Sequence, residues 1–174
     1  NYFYFFNRDK NKLKKFIDKI NIISKYKIIK NYSELKKISN LDLVINTTSV
    51  GFNSWIKIKG KYYNYKYFSP LSNLHKIQGI NKINNFKFYK KNYILCKKNL
   101  LSSINFFLQN PKVTVFDIIY NPKQTFLMKI CDLFNNECIN GLNMNLAQAI
   151  KAFIQVNNIN NYNKISKAMN ADGK

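Results

Sequence analysis

The sequence has 174 residues, of which 46% are apolar and 16% aromatic, with 29 Lys+Arg against 8 Asp+Glu. That is enough chain for one domain with a real core, and too much apolar content for wholesale disorder despite a formal charge of +21. No window reaches the roughly 18 uninterrupted apolar residues of a membrane span, and no signal-peptide pattern opens the chain, so a cytoplasmic protein is expected.

The basic surplus is almost entirely of one residue type. There are 29 Asn and 28 Lys, and Arg8 is the only Arg. An AT-rich coding sequence yields this surplus whatever the protein does, so the charge alone is weak evidence for a nucleic-acid partner. Arg8 runs against that drift. Three Cys (Cys96, Cys131, Cys138) and one His lack metal-ligand spacing; no metal site is expected, and the thiols read as reduced.

Tyr2 to Phe6 is a continuous apolar run of strand length, and the chain opens inside it without an initiator Met, as a piece of a longer polypeptide would. Past Arg8 the period changes: Leu13, Phe16, Ile17 and Ile20 fall at helical spacing. Lys27 to Ile29 reads as a short strand, and Ser33 offers an N-cap for a short helix through Leu35 and Ile38. Leu41 to Ile45 is another buried strand, ending in Asn46-Thr47-Thr48-Ser49 and then Gly51. Strands alternating with helices in about 45 residues predict an α/β fold, a Rossmann-like parallel sheet with flanking helices.

Residues 54–110 hold eleven Lys, twelve aromatics and no Asp or Glu, and show no sustained period. The segment reads as a long low-complexity insertion or loop, partly disordered. Val113 to Ile119 is a β-branched strand, broken at Asn121-Pro122. Thr125 then caps a helix through Phe126, Leu127, Ile130 and Phe134. Cys138-Ile139 is a short strand, and Gly141 turns the chain into a helix with Leu146, Ile150 and Phe153 on one face. The domain is thus expected over 1–156, with 157–174 a polar tail that adds little.

In an open parallel sheet, ligands sit beyond the carboxyl ends of the strands. Asn7, Arg8 and Lys12 lie at the first such end, where a guanidinium and an ammonium one helical turn apart suit a phosphate. Thr48 and Ser49 follow another strand and can hydrogen-bond a ribose or an amide. Tyr120 lies past a third strand, and Gln148 on the opening turns of the last helix.

Taken in order, Asn7-Arg8-x-x-x-Lys12, Asp42 to Gly51, Val115 to Pro122 and Gly141 to Ala149 resemble the shikimate dehydrogenase family, in its C-terminal NADP-binding domain. The resemblance covers about residues 2–52 and 112–155. It implies that Asn7, Arg8 and Lys12 clamp the adenosine 2′-phosphate of NADP, and that Thr48 and Ser49 line the cofactor cleft. It implies further that Ile118, Gly141 and Met144 flank the nicotinamide, while Tyr120 and Gln148 contact the substrate. The implied reaction is NADP-dependent reduction of 3-dehydroshikimate to shikimate.

Three positions depart from the family pattern. Asp9 stands where Thr is usual, and an exposed carboxylate there would repel the 2′-phosphate by up to about 1 kcal/mol. Asn143 replaces a common Gly, a change that Asn's tolerance of positive φ would make harmless. Asn145 replaces an apolar residue. No G-x-G-x-x-G loop occurs in the chain. The resemblance places that loop before residue 1 and the family's catalytic Lys–Asp pair in an N-terminal substrate domain, so no catalytic residue is assigned here. Two rival readings carry less weight: a degenerate, non-catalytic domain of a larger polypeptide, and a nucleic-acid binder using the aromatic, Lys-rich insertion.

Overall fold

A computed structural model describes residues 2–7, 9–20, 24–159 and 161–171. In chain order the elements are β1 (Tyr2–Phe6), α1 (Lys10–Ile20), β2 (Lys25–Ile29), α2 (Tyr32–Leu35), β3 (Leu43–Asn46), β4 (Trp55–Ile58) and β5 (Lys61–Asn64). There follow α3 (Asn85–Gln109), β6 (Thr114–Asp117), α4 (Phe126–Leu133), β7 (Cys138–Asn140), α5 (Leu142–Asn157) and α6 (Tyr162–Ala171).

The parallel α/β architecture is present. β1 pairs in parallel with β2, from Tyr2 opposite Lys25 to Phe6 opposite Ile29. α1 makes the crossover and buries Leu13 and Ile17, four residues apart on one face. Asp9 starts it: its carboxylate accepts the Lys12 amide N–H at 3.0 Å. α2 is capped by Asn31, whose side-chain oxygen accepts the Glu34 N–H at 3.0 Å, so Ser33 lies inside the helix and is not its cap. The strand order β3-β6-β7 makes a second parallel sheet. Thr125 caps α4 as expected, its hydroxyl accepting the Met128 N–H.

Among the described residues β1 is paired only with β2, and β3 only with β6. The remaining edge of each is unpaired, with Leu43 and Ile45 of β3 about half exposed.

Residues 54–110 differ most from the expectation. Instead of a loop they form the β4–β5 hairpin and the 25-residue helix α3. The hairpin turns at Lys59 (φ 48°) and Gly60 (φ 76°), the paired positive φ values of a two-residue turn that matches strand twist. Phe107 of α3 packs with Val113, just before β6, Val115 of β6, and Leu127 and Ile130 of α4 in one buried cluster. Phe88 packs with Val50, Phe68, Leu74 and Ile80 in another, Trp55 lying edge-on to Phe88 at 5.5 Å. At about 1.5–3 kcal/mol for each fully buried aromatic, these side chains hold the segment to the sheet. The stretch after Val156, read as a polar tail, continues α5 to Asn157 and adds α6, which buries Ile165.

Candidate functional site

β3, β6 and β7 run in parallel, so their carboxyl ends open on one side. A buried polar network holds the loops there. The Asp117 carboxylate, fully buried at the end of β6, accepts the Thr125 hydroxyl at 2.7 Å, the Asn46 amide at 3.0 Å and the Ile119 N–H at 3.1 Å. Burial pushes its pKa above the ordinary carboxylate value, and these three donors restrain the rise. The Asn46 side-chain oxygen in turn accepts both the hydroxyl (2.8 Å) and the N–H (3.0 Å) of Thr48. One carboxylate thus ties the 46–51 loop, the 117–120 loop and the start of α4 together.

Two glycines set how closely these loops approach. A Cβ on Gly141 would lie 1.9 Å from the carbonyl oxygen of Ile118, a backbone atom with no freedom to yield. Gly51 has φ +112°, a value other residues rarely adopt, and lies against Thr125 and Ile119. The Asn53 N–H donates to the carbonyl of Asn121 at 3.3 Å, joining the two loops again.

Thr48, Ser49, Ile118, Tyr120, Gly141 and Met144 lie on the loops and helix start at this end of the sheet. Ile118 and Gly141 touch through their backbones, and Met144 is half-buried on the first turn of α5. Thr48 and Ser49 are exposed on the adjoining loop, and Thr48 accepts the Val50 N–H at 3.2 Å. Tyr120 is 42% exposed, which removes it from the core, and Gln148 is exposed on α5. Asn143 lies within α5 without a positive φ, so the backbone freedom of Asn is not what admits it there.

The expected phosphate clamp belongs to the other sheet. Asn7 follows β1, and its side-chain oxygen accepts the Asp9 N–H at 2.9 Å. Lys12 is exposed on the first turn of α1; Arg8 lies outside the described residues. Asp9, expected as a repelling charge, has one carboxylate oxygen engaged in the helix cap. Asn7 also lines a cavity of about 480 Å³ at the carboxyl ends of β1 and β2, opposite residues of α3. Among the described residues there is no group of three or more His, Cys, Asp and Glu side chains that could hold a metal ion, and no helix long and apolar enough to cross a membrane.

Sequence reasoning missed Asp117 and Thr125 as positioning groups, although Asp117 lies inside a family motif and Thr125 was read only as a helix cap. A lone carboxylate at the end of an apolar strand, with Thr eight residues on, was the available signal.

The fold is of the α/β class, with parallel strands and flanking helices. More narrowly, it fits the C-terminal domain of the shikimate dehydrogenase family. The shikimate 5-dehydrogenase of Listeria monocytogenes, solved in complex with shikimate and NAD, superposes with a TM-score of 0.57 at 20% identity, over 97% of this chain and 47% of that one. Shikimate dehydrogenase 1 of Peptoclostridium difficile gives 0.53 at 20% identity, over 98% and 52%. A chorismate mutase/shikimate 5-dehydrogenase fusion protein of Clostridium acetobutylicum gives 0.53 at 17% identity, over 97% and 45%. The chain spans about half the length of these structures. No protein-family profile and no curated protein matches the sequence.

Proposed function

We propose that this chain is the cofactor-binding part of a shikimate dehydrogenase-like oxidoreductase that reduces 3-dehydroshikimate to shikimate with NADPH. The observation that carries it is the backbone contact between Gly141 and Ile118, at the end of a parallel sheet whose loops are locked by Asp117. The family resemblance implies that Ile118 and Gly141 both flank the nicotinamide, and only a glycine fits their close approach.

The residues present suit a nicotinamide dinucleotide at both ends. Ile118, Gly141 and Met144 would flank the nicotinamide, with Thr48 and Ser49 along the cleft. Asn7, Arg8 and Lys12 would hold the adenosine 2′-phosphate. When bound, the cofactor supplies the hydride. The chain's own contribution is orientation: the Tyr120 hydroxyl, exposed past β6, and the Gln148 amide, exposed on α5, would hold the hydroxyls and carboxylate of the substrate ring. Handling of the proton on the reacting oxygen is assigned to a partner substrate domain, as the family resemblance implies.

The test is cofactor titration of the intact protein with and without Arg8→Ala. The substitution should weaken NADPH binding by about 1–3 kcal/mol, the worth of a charge-assisted contact, and leave NADH nearly unchanged. Equal losses for both cofactors would remove Arg8 from the clamp. Absence of binding by either would favour a non-catalytic domain.

A further inference from the structure

The cavity of about 480 Å³ beside Asn7 has a feature that the cofactor motifs do not explain. Four lysines converge on it from separate parts of the chain: Lys30 and Lys36 flank α2, Lys76 lies in the loop after β5, and Lys98 is on α3. Among the described residues no carboxylate lines it. Glu34, within α2, holds a carboxylate oxygen on the Lys30 backbone N–H at 3.0 Å, and Asp9 caps α1, so four lysines face at most two carboxylates in the elements that carry the cavity.

In a chain this rich in lysine, cations on a surface mean little by themselves. Here the wall that carries two of them is fixed from inside. Asn99, fully buried on α3 next to Lys98, accepts the Ser69 N–H (2.8 Å) and donates to the Ser69 carbonyl (2.8 Å) and the Ser72 hydroxyl oxygen (2.7 Å). Ser72, itself buried, reaches the cavity, and its oxygen's role as acceptor leaves its proton to be donated there. Asn92, one helical turn before Cys96, accepts the Gln78 N–H at 2.7 Å and donates to the Gln78 carbonyl at 3.0 Å, pinning the loop that bears Lys76. The floor is partly apolar: Phe6 and Tyr32 meet edge to face at 4.7 Å, with Leu95 beside them.

Four ammonium groups and a hydroxyl donor around a pocket of ligand size call for a multiply charged anion on a body with some apolar surface. We propose that this cavity binds a phosphomonoester, held between the Lys30–Lys36 stretch around α2 and a wall supplied by residues 72–102. The phosphate could come from either of two sources, the cofactor's adenosine 2′-phosphate or a free phosphorylated metabolite. The first source rests on the cofactor reading above; the site itself does not.

The experiment is calorimetric titration of the intact protein with adenosine 2′-monophosphate and with glucose 6-phosphate, which share only the ester phosphate. Lys76→Met/Lys98→Met should weaken binding of both at least tenfold. Lys82→Met/Lys91→Met, which removes the same charge from the same segment outside the cavity, should stay within twofold of the parent, and Lys98→Arg should retain binding. A competition arm with NADPH separates the sources: displacement by the adenosine ester assigns the phosphate to the cofactor, and undisturbed NADPH binding assigns it to a separate metabolite. Equal losses in the two double variants, or no binding of either ester, would overturn the site. If the esters bind as expected and NADPH does not bind at all, the cofactor reading falls and the site stands.

Discussion

At Gly141 the constraint is contact and not conformation, because its φ of −76° is open to any residue. A methyl group there would overlap the Ile118 carbonyl, and both partners are backbone atoms fixed by sheet and helix. Overpacking of this kind costs roughly 1–3 kcal/mol where side chains can yield, and more where they cannot. Gly141→Ala should therefore lose about 3 kcal/mol or more in urea unfolding, with cofactor binding lost at temperatures where the variant is still folded. Asp117 makes a prediction in pH. Its folded pKa is raised by burial, so the fold favours the protonated form. The stability it contributes is complete below the unfolded carboxylate value near 4 and is lost as pH rises through the higher folded value. Asp117→Asn has no charge to bury and keeps acceptor capacity for Asn46 and Ile119, so it should flatten that fall with little change in acid. Asp117→Ala strands three buried donors and should cost about 2–4 kcal/mol at every pH. A fall in stability of the same slope in Asp117→Asn would assign the pH dependence to another group.

At the scale of elements, β1, β3 and β6 were legible because each is a short, largely apolar run, β2 only through its Ile28-Ile29 end, and α1 because Leu13 and Ile17 repeat at helical spacing. α3 was not. Its buried face includes Asn92, Asn99 and Ser103 as well as Phe88, Phe106 and Phe107, so its inward stripe does not alternate cleanly between apolar and polar. Those amides fasten neighbouring loops, a role that no periodicity count detects. Competition between two plausible caps hid the start of α2: Asn31 and Ser33 are both cap residues, and only Asn31 reaches the Glu34 N–H. The helix end of the site was legible in Gly141 but not its reason, which needed the carbonyl of a residue 23 positions earlier. If α3 belongs to the same cooperative unit as the sheet, Phe107→Ala should destabilise the whole chain by about 3–5 kcal/mol. Fluorescence of Trp55, packed on Phe88 in the other cluster, should then shift its urea midpoint together with the far-ultraviolet dichroism. Separated transitions would make 54–110 an independent unit.

For the whole molecule, the burial of Phe88 and Phe107 means that a rival nucleic-acid role cannot be tested by deleting 54–110, since deletion removes core. The charge itself is better addressed through stability. With 29 Lys+Arg against 8 Asp+Glu, most charge pairs repel, and the acid-free stretch between Asp42 and Asp117 leaves its lysines without local compensation. Folding brings these charges closer together than in the unfolded chain. Screening shortens the range of repulsion from roughly 30 Å at 0.01 M salt to about 8 Å at 0.15 M. The urea midpoint should accordingly rise as NaCl increases from about 0.01 to 0.3 M, levelling as the screening length falls below the spacing of neighbouring lysines. Phosphate at matched ionic strength should raise it further, because an anion held only by the folded state adds stability by mass action, and this extra rise should vanish in Lys76→Met/Lys98→Met. A midpoint that falls with NaCl would mean that attractive pairs outweigh the surplus of like charge. Equal effects of chloride and phosphate would reduce the four-lysine cavity to general screening.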